Sequence, residues 1–281
     1  MDRIGIVGLG RMGSAIAGKL SAEGRDVATW TRSGRSLGGI EAAGTLADLA
    51  ARSDVLVLSL YDDAAVAEVL DALMACDLAG RLVVETSTVV PGLVTDRAAR
   101  FADAGAGIVD APISGGPDLI AQGACGIFVG GDAGNADRAR AALTPISGRI
   151  FHVGPLGTGL VMKTINNTMI QCYFNGLAEV LPLARRAGLP LETALRILTG
   201  GPAGMPMVAD RLPKILGEDD TVGFTIDAAH KDNDVFARVA EAHGIRSEVL
   251  ETAARRQREA IAAGLGGADP AALASFAYTS G

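Results

Sequence analysis

The sequence predicts an α/β domain on a parallel sheet followed by an all-α domain, and three observations predict it. Over the first 155 or so residues, short β-rich runs alternate with helical stretches. A glycine-rich turn joins the first run to the first helical stretch, and from about Thr158 onward only helical periods remain. Alternation is what a parallel sheet requires, because parallel neighbours are joined by crossover helices and not by tight turns.

Six runs read as strands: "RIGIVGLG", "RDVATW", "DVLVLSL", "RLVVETS", "GIVDAPI" and "CGIFVGG". Each is rich in β-branched or large apolar residues and bounded by turn formers. A long helix is expected from Gly159 to Ala187, about 40 Å at ~1.5 Å per residue, with a kink at Pro182, whose ring removes a backbone donor. "GGPAGMPM" and "ILGEDDTVGF" break the helical periods that follow. The change of class divides the chain into a domain of residues 1–158 and a helical domain of residues 159–281.

Composition narrows the function classes. In 281 residues, 49% hydrophobic content supplies a sizeable core, and the net charge of −7 without a basic block argues against a nucleic-acid surface. The longest charge-free run is about 15 residues, short of the ~18 a membrane span needs. The first strand begins at Ile4, which leaves no room for a secretion signal, so a cytoplasmic protein with small-molecule partners is expected. Cys76, Cys125 and Cys172 are odd in number and lack histidines at ligand spacing, so they are read as buried small hydrophobes; no disulfide framework and no metal site is expected.

"IGIVGLGRMGSAIAGKL" carries Gly8, Gly10 and Gly13 in G-x-G-x-x-G spacing between an apolar strand and an amphipathic helix. The first glycine permits the tight turn, the second lets backbone approach a pyrophosphate, and the third lets helix pack on strand; the helix N-terminus faces the anion. This is the Rossmann arrangement for a dinucleotide. Where an NAD site usually places an acid to accept from the ribose 2′-hydroxyl, the chain reads "TWTRSGR", with no acid between Asp26 and Glu41. Arg32 and Arg35 flank Ser33 in a loop suited to a 2′-phosphate, which predicts NADP(H) in preference to NAD(H), with NAD(H) still possible.

"VDAPISGGP" ends a strand with Ser114, Gly115 and Gly116, at a place where strand ends open onto a ligand crevice. Further on, Lys163 is the only fixed charge between Arg149 and Glu179. In a helix, Lys163 and Asn167 lie one turn apart on one face. A partly buried lysine can give a proton to a developing alkoxide or take one from a hydroxyl; a lysine at the helix surface beside solvated asparagines fits this stretch as well.

Taken in order, the motifs resemble those of the β-hydroxyacid dehydrogenase family, and the resemblance covers essentially the whole chain. "GIVGLGRMGSAIA" resembles the family's cofactor motif, "ETSTVVP" its S-T-x-x-P loop, "DAPISGG" its substrate motif, "GTGLVMKTINN" its catalytic helix and "GFTIDAAHKDNDVFA" its C-terminal Lys-Asp segment. The resemblance implies a Rossmann domain, a long interdomain helix and an all-α domain through which subunits form dimers or tetramers. It implies hydride transfer between NADP(H) and a short β-hydroxy acid or its semialdehyde, with Lys163 as general acid/base and Asn167 beside it. Ser114, Gly115, Gly116 and Lys231 would hold the substrate. Cofactor contacts would come from Gly8, Leu9, Gly10, Arg11, Met12, Gly13, Thr31, Arg32, Ser33, Arg35, Leu60, Thr88, Phe224 and Lys231. The chain departs from the pattern at Tyr61, Pro182, His230 and the polar "DNDVFA". Two rivals remain: an imine reductase-like enzyme, which usually has Asp or Tyr where Lys163 stands, and a non-catalytic dinucleotide-binding regulator.

Overall fold

The computed structural model describes residues 2–280, and the chain divides into two compact units, Met1–Thr164 and Ile165–Gly281. In the first unit six strands run parallel: β1 (Ile4–Val7), β2 (Val27–Trp30), β3 (Glu41–Ala42), β4 (Val55–Leu58), β5 (Leu82–Glu85) and β6 (Gly107–Asp110). Three more follow, β7 (Ile113–Ser114), β8 (Gly126–Gly130) and β9 (Arg149–Gly154), and the sheet order is β3-β2-β1-β4-β5-β6-β8-β7 with β9 paired to β8.

The sheet is not wholly parallel. β8 runs antiparallel to both β6 and β7, and β9 runs parallel to β8. Between Ser114 and Gly126 lie 11 residues, which hold only a five-residue helix and are too few for a crossover, so the chain returns antiparallel. β9 is a strand where none was expected. Its residues are largely exposed, Phe151 at 47%, so it lacks the apolar density that marks a buried strand.

Helices α1 (Arg11–Ala22), α2 (Leu46–Arg52), α3 (Asp63–Leu73), α4 (Gly92–Thr95), α5 (Ala98–Asp103), α6 (Pro117–Ala121) and α7 (Ala133–Leu143) cover the sheet. Alternate strand residues pack on opposite faces. Ile4, Ile6, Val55, Val57, Leu82 and Val84 meet Ile16 and Leu20 of α1 and Ala139 and Leu143 of α7. Val7, Leu56, Leu58 and Val83 meet Leu49 of α2, Leu70 of α3 and Phe101 of α5. With both faces buried, the strands read as continuous apolar runs. Side-chain oxygens at Thr45, Asp62 and Asp132 accept from backbone N–H groups in the first turns of α2, α3 and α7 and fix where those helices begin.

The sheet order reverses at β1. The chain goes from β1 outward to β2 and β3, then crosses back to β4 on the other side. At such a switch point the loops leaving adjacent strands turn to opposite faces and leave a crevice at the carboxyl ends.

Helix α8 (Thr158–Arg186) continues through Pro182 and carries the chain from the first unit into the second. After it come α9 (Leu191–Gly200), α10 (Pro206–Asp210), α11 (Leu212–Leu216), α12 (Ile226–Ala242), α13 (Glu248–Ala262) and α14 (Ala272–Ser280), with no strand among the described residues. Phe174, Leu177 and Leu181 of α8 pack with Leu195, Val208, Ile215 and Ala274 into the core of the second unit. Among the cysteines only Cys125 is buried. Cys172 is exposed, because it lies on the face of α8 that carries Ile165 and Met169, also exposed, and Cys76 is intermediate.

Candidate active site

The turn from β1 into α1 shows why its glycines are needed. Gly8 has φ +96°, and a Cβ there would lie 2.4 Å from the Ser59 carbonyl oxygen at the end of β4. A Cβ on Gly13 would lie 2.1 Å from the Gly8 carbonyl oxygen. At Gly10, by contrast, a Cβ would meet nothing within 4 Å. Gly10 is also the N-cap of α1 and makes no side-chain cap, so the first-turn N–H groups of Arg11, Met12 and Gly13 lack a capping side chain. Two glycines are compressed and the middle one opens on space at an uncapped helix N-terminus, and this fits a pyrophosphate. Leu9 is buried beneath the turn. Leu60, following β4, donates its N–H to Ser87 Oγ at 2.8 Å, which joins this loop to the one carrying Thr88 after β5.

Beyond β2, residues 31–35 fold into a closed turn: the Thr31 hydroxyl donates to the Arg35 carbonyl at 3.0 Å, and Gly34 N–H donates to the Thr31 carbonyl. Ser33 and Arg35 are exposed on it. Arg32 is exposed too, and its guanidinium pairs with Glu68 at 2.9 Å. No acid stands between Asp26 and Glu41.

Lys163 is not a surface residue. Its side chain is buried, with the residue 7% exposed, and Nζ donates to the Ile113 carbonyl oxygen at 2.7 Å. That carbonyl belongs to β7, one residue before Ser114. Gly115 has φ +129°, and a Cβ there would press on Leu119. Gly116 caps α6 and faces open space. Lys163, Ser114, Gly115 and Gly116 are thereby gathered at the carboxyl end of the sheet. Asn167 lies one turn beyond Lys163 on α8, and its Oδ1 accepts from Asn166 Nδ2 at 3.0 Å.

Two of the expected residues, Phe224 and Lys231, belong to the second unit. Phe224 precedes the α12 N-cap Thr225, and Lys231 is half-buried with Nζ 2.6 Å from Asp232 Oδ1.

Two buried carboxyl groups were not foreseen. Asp110, fully buried at the end of β6, accepts from Gly157 N–H at 2.6 Å and Leu160 N–H at 2.8 Å, at the start of α8. Glu85 is its register partner on β5, also fully buried; Oε1 accepts from Ser87 N–H and Oε2 has no hydrogen-bond partner among the described residues. Burial pushes Glu85 up to about 7, partly offset by Ser87, and Asp110 adds to the rise. Burial likewise pushes Asp110 up to about 6 against the lowering effect of the α8 N–H groups. Both letters sit inside quoted motifs, but the paired position on the adjacent strand and the α8 N–H groups some 50 residues away leave no local signal.

Residues 3–154 match the family described as the NAD binding domain of 6-phosphogluconate dehydrogenase, and residues 157–277 match the NAD-binding family of NADP-dependent 3-hydroxyisobutyrate dehydrogenase. The chain belongs to the β-hydroxyacid dehydrogenase family. It is an NAD(P)-dependent oxidoreductase. This β-hydroxyacid dehydrogenase is 32% identical over 240 residues to 2-(hydroxymethyl)glutarate dehydrogenase of Eubacterium barkeri, covering 82% of this chain and 79% of that one. It is 32% identical over 212 residues to the NAD-dependent L-serine dehydrogenase of Pseudomonas aeruginosa, covering 73% and 71%. Among solved structures, 3-hydroxyisobutyrate dehydrogenase of Mycobacterium tuberculosis with L-serine superimposes with a TM-score of 0.87 at 25% identity over 98% of both chains.

The turn and the carboxyl pair each give a test. Gly10→Ala should leave the melting temperature of the cofactor-free protein within about a degree yet raise the Kd for dinucleotide roughly tenfold or more. Gly13→Ala should lower that melting temperature by several degrees, because the overlap with Gly8 forces the backbone apart. Glu85 has a native pKa above its unfolded value, so the stability it contributes is complete below the unfolded carboxylate range and is lost as pH rises to about 7. Glu85→Gln, neutral throughout, should therefore match the wild type in stability near pH 4 and exceed it at pH 8 by on the order of 1–3 kcal/mol; equal stability at pH 8 would refute the raised pKa of native Glu85.

Proposed function

We propose that this chain transfers a hydride between NADP(H) and a short β-hydroxy acid or its semialdehyde, with Lys163 as general acid/base. The supporting observation is Lys163 itself: a lysine buried to 7% exposure, with Nζ held by the Ile113 carbonyl beside Ser114, Gly115 and Gly116. A buried amine beside a strand-end loop is placed for proton transfer to a bound oxygen in a way a solvated surface amine is not.

The nicotinamide, when bound, supplies or accepts the hydride. The chain's own residues do the rest. In reduction, Lys163 Nζ gives a proton to the carbonyl oxygen as charge develops on it; in oxidation it takes the hydroxyl proton. Asn167, its Oδ1 already engaged by Asn166, offers its amide N–H to the same oxygen. The Ser114 hydroxyl and the backbone N–H groups of Gly115 and Gly116 suit a carboxylate. The hydroxy-acid and serine substrates in the relatives' names accord with such a carboxylate.

NADP(H) preference is supported by the loop at 31–35, which lacks the acid an NAD ribose would need. The Arg32–Glu68 pair is exposed, so Arg32 exchanges it for a 2′-phosphate at little cost. Thr88 completes the proposed cofactor contacts of the first unit. A cytoplasmic setting is in keeping with the described residues, in which no helix is long and apolar enough to cross a membrane.

Self-association as a dimer or tetramer is part of the proposal. It is supported by the exposed apolar side chains Ile165, Met169, Val180 and Leu183 along α8, whose intervals of four, eleven and three residues set them on one helix face.

A panel of small semialdehydes and hydroxy acids, assayed with both cofactors, tests the reaction. Turnover should be found with kcat/KM higher for NADPH, and Lys163→Ala should lower kcat by about 100-fold or more while leaving NADPH affinity near wild type. An NADH preference would remove the role given to Arg32, and undiminished turnover in Lys163→Ala would remove that given to the lysine. Sedimentation velocity at micromolar concentration should show a dimer or larger species; a monomer would end the assembly reading.

A further inference from the structure

Helix α8 is gripped twice by one short piece of chain. Asp110, the last residue of β6, holds the helix start: Oδ1 accepts from Gly157 N–H at 2.6 Å and Oδ2 from Leu160 N–H at 2.8 Å. Three residues later the Ile113 carbonyl accepts from Lys163 Nζ at 2.7 Å. Lys163 lies three residues beyond Leu160, so the anchored backbone and the anchored amine are less than one turn apart.

The carboxylate has no room to move. A Cβ on Gly130 would lie 2.4 Å from Asp110 Oδ1, and one on Gly159 would lie 2.8 Å from Oδ2 and 2.3 Å from the Phe128 carbonyl oxygen. The helix can approach this closely only because these positions are glycines. Each carboxylate oxygen serves a different N–H, so an amide of the same size keeps one acceptor and turns an NH2 toward the other donor. A second carboxyl, Glu85 on β5, stands at the paired register position. Two adjacent buried carboxyls do not both ionise readily. Asp110, with the helix N-terminus before it and two backbone N–H groups on its oxygens, is the one to carry charge.

We propose that Asp110 is a positioning residue for the reaction: by capping α8 with both carboxylate oxygens it fixes the depth at which Lys163 presents its amine beside Ser114. The proposal rests on Lys163 being the acid/base. Asp110 touches neither substrate nor cofactor in this role and acts wholly through the helix.

Asp110→Asn and Asp110→Ser test it, each followed by turnover and by competitive trace acetylation of the four lysines with peptide mass spectrometry, Lys19 serving as internal standard. The expected result is a folded variant with kcat lowered about 10- to 100-fold, cofactor KM within about twofold of wild type, and Lys163 acetylated several times faster relative to Lys19 than in wild type. Unchanged Lys163 labelling in a folded variant overturns the proposal, and so does the loss of cooperative melting in both variants, which would make Asp110 a residue of the fold alone. The labelling does not depend on activity. If Lys163→Ala keeps its turnover, the acid/base reading fails, whereas unaltered labelling of Lys163 is a failure of the positioning role.

Discussion

The structure depends on a buried carboxylate meeting a helix start. Taking Asp110 out of water costs several kcal/mol, and an unpartnered carboxylate there would be intolerable. Hydrogen bonds from Gly157 and Leu160, at roughly 1.5–3 kcal/mol each for bonds to a charged group, together with the helix dipole, offset a cost of that size. The balance is close, as the raised pKa of Asp110 records. The interaction therefore works less as a source of stability than as a geometric constraint: α8 begins where the two N–H groups reach the two oxygens.

From that constraint the rest of the sheet end can be followed. β6 must deliver Asp110 next to β8, whose Gly130 leaves space for the carboxylate, so the antiparallel turn of the sheet at β8 is part of the same arrangement. β5 brings Glu85 alongside, and its contact with Ser87 ties down the loop that also receives the N–H of Leu60. A chain of hydrogen bonds thus runs from the loop after β4, through Ser87, to Glu85 beside the cap of α8. The dinucleotide turn leaves β1 and the carboxylate that caps the lysine helix ends β6, with β4 and β5 between them in the same sheet.

Much of this was legible in the sequence, and the parts that were not have a common cause. Strand and helix alternation, the G-x-G-x-x-G turn and the bounds of α8 all depend on residues near one another in the chain. The charge isolation of Lys163 was visible as well, but its burial was not, because the Ile113 carbonyl lies 50 residues away. The same holds for Asp110 and Leu160. Strand direction is a long-range property too: "CGIFVGG" reads alike whether β8 pairs parallel or antiparallel. β9 failed for the opposite reason, since an edge strand with exposed residues carries little periodic signal. The two-residue strands β3 and β7 are too short to have any.

The glycines around Asp110 also bear on how such a site can diversify. Gly130 and Gly159 have no room for even a methyl group, and Gly115 combines a backbone angle few residues adopt with a neighbour in the way. These positions form a floor that substitution cannot reshape. Gly116 is different, for a side chain there would project into open space. Side-chain diversity is then open to evolution, or to a designed library, at the rim of the strand-end loop, while the glycine floor around Asp110 stays fixed.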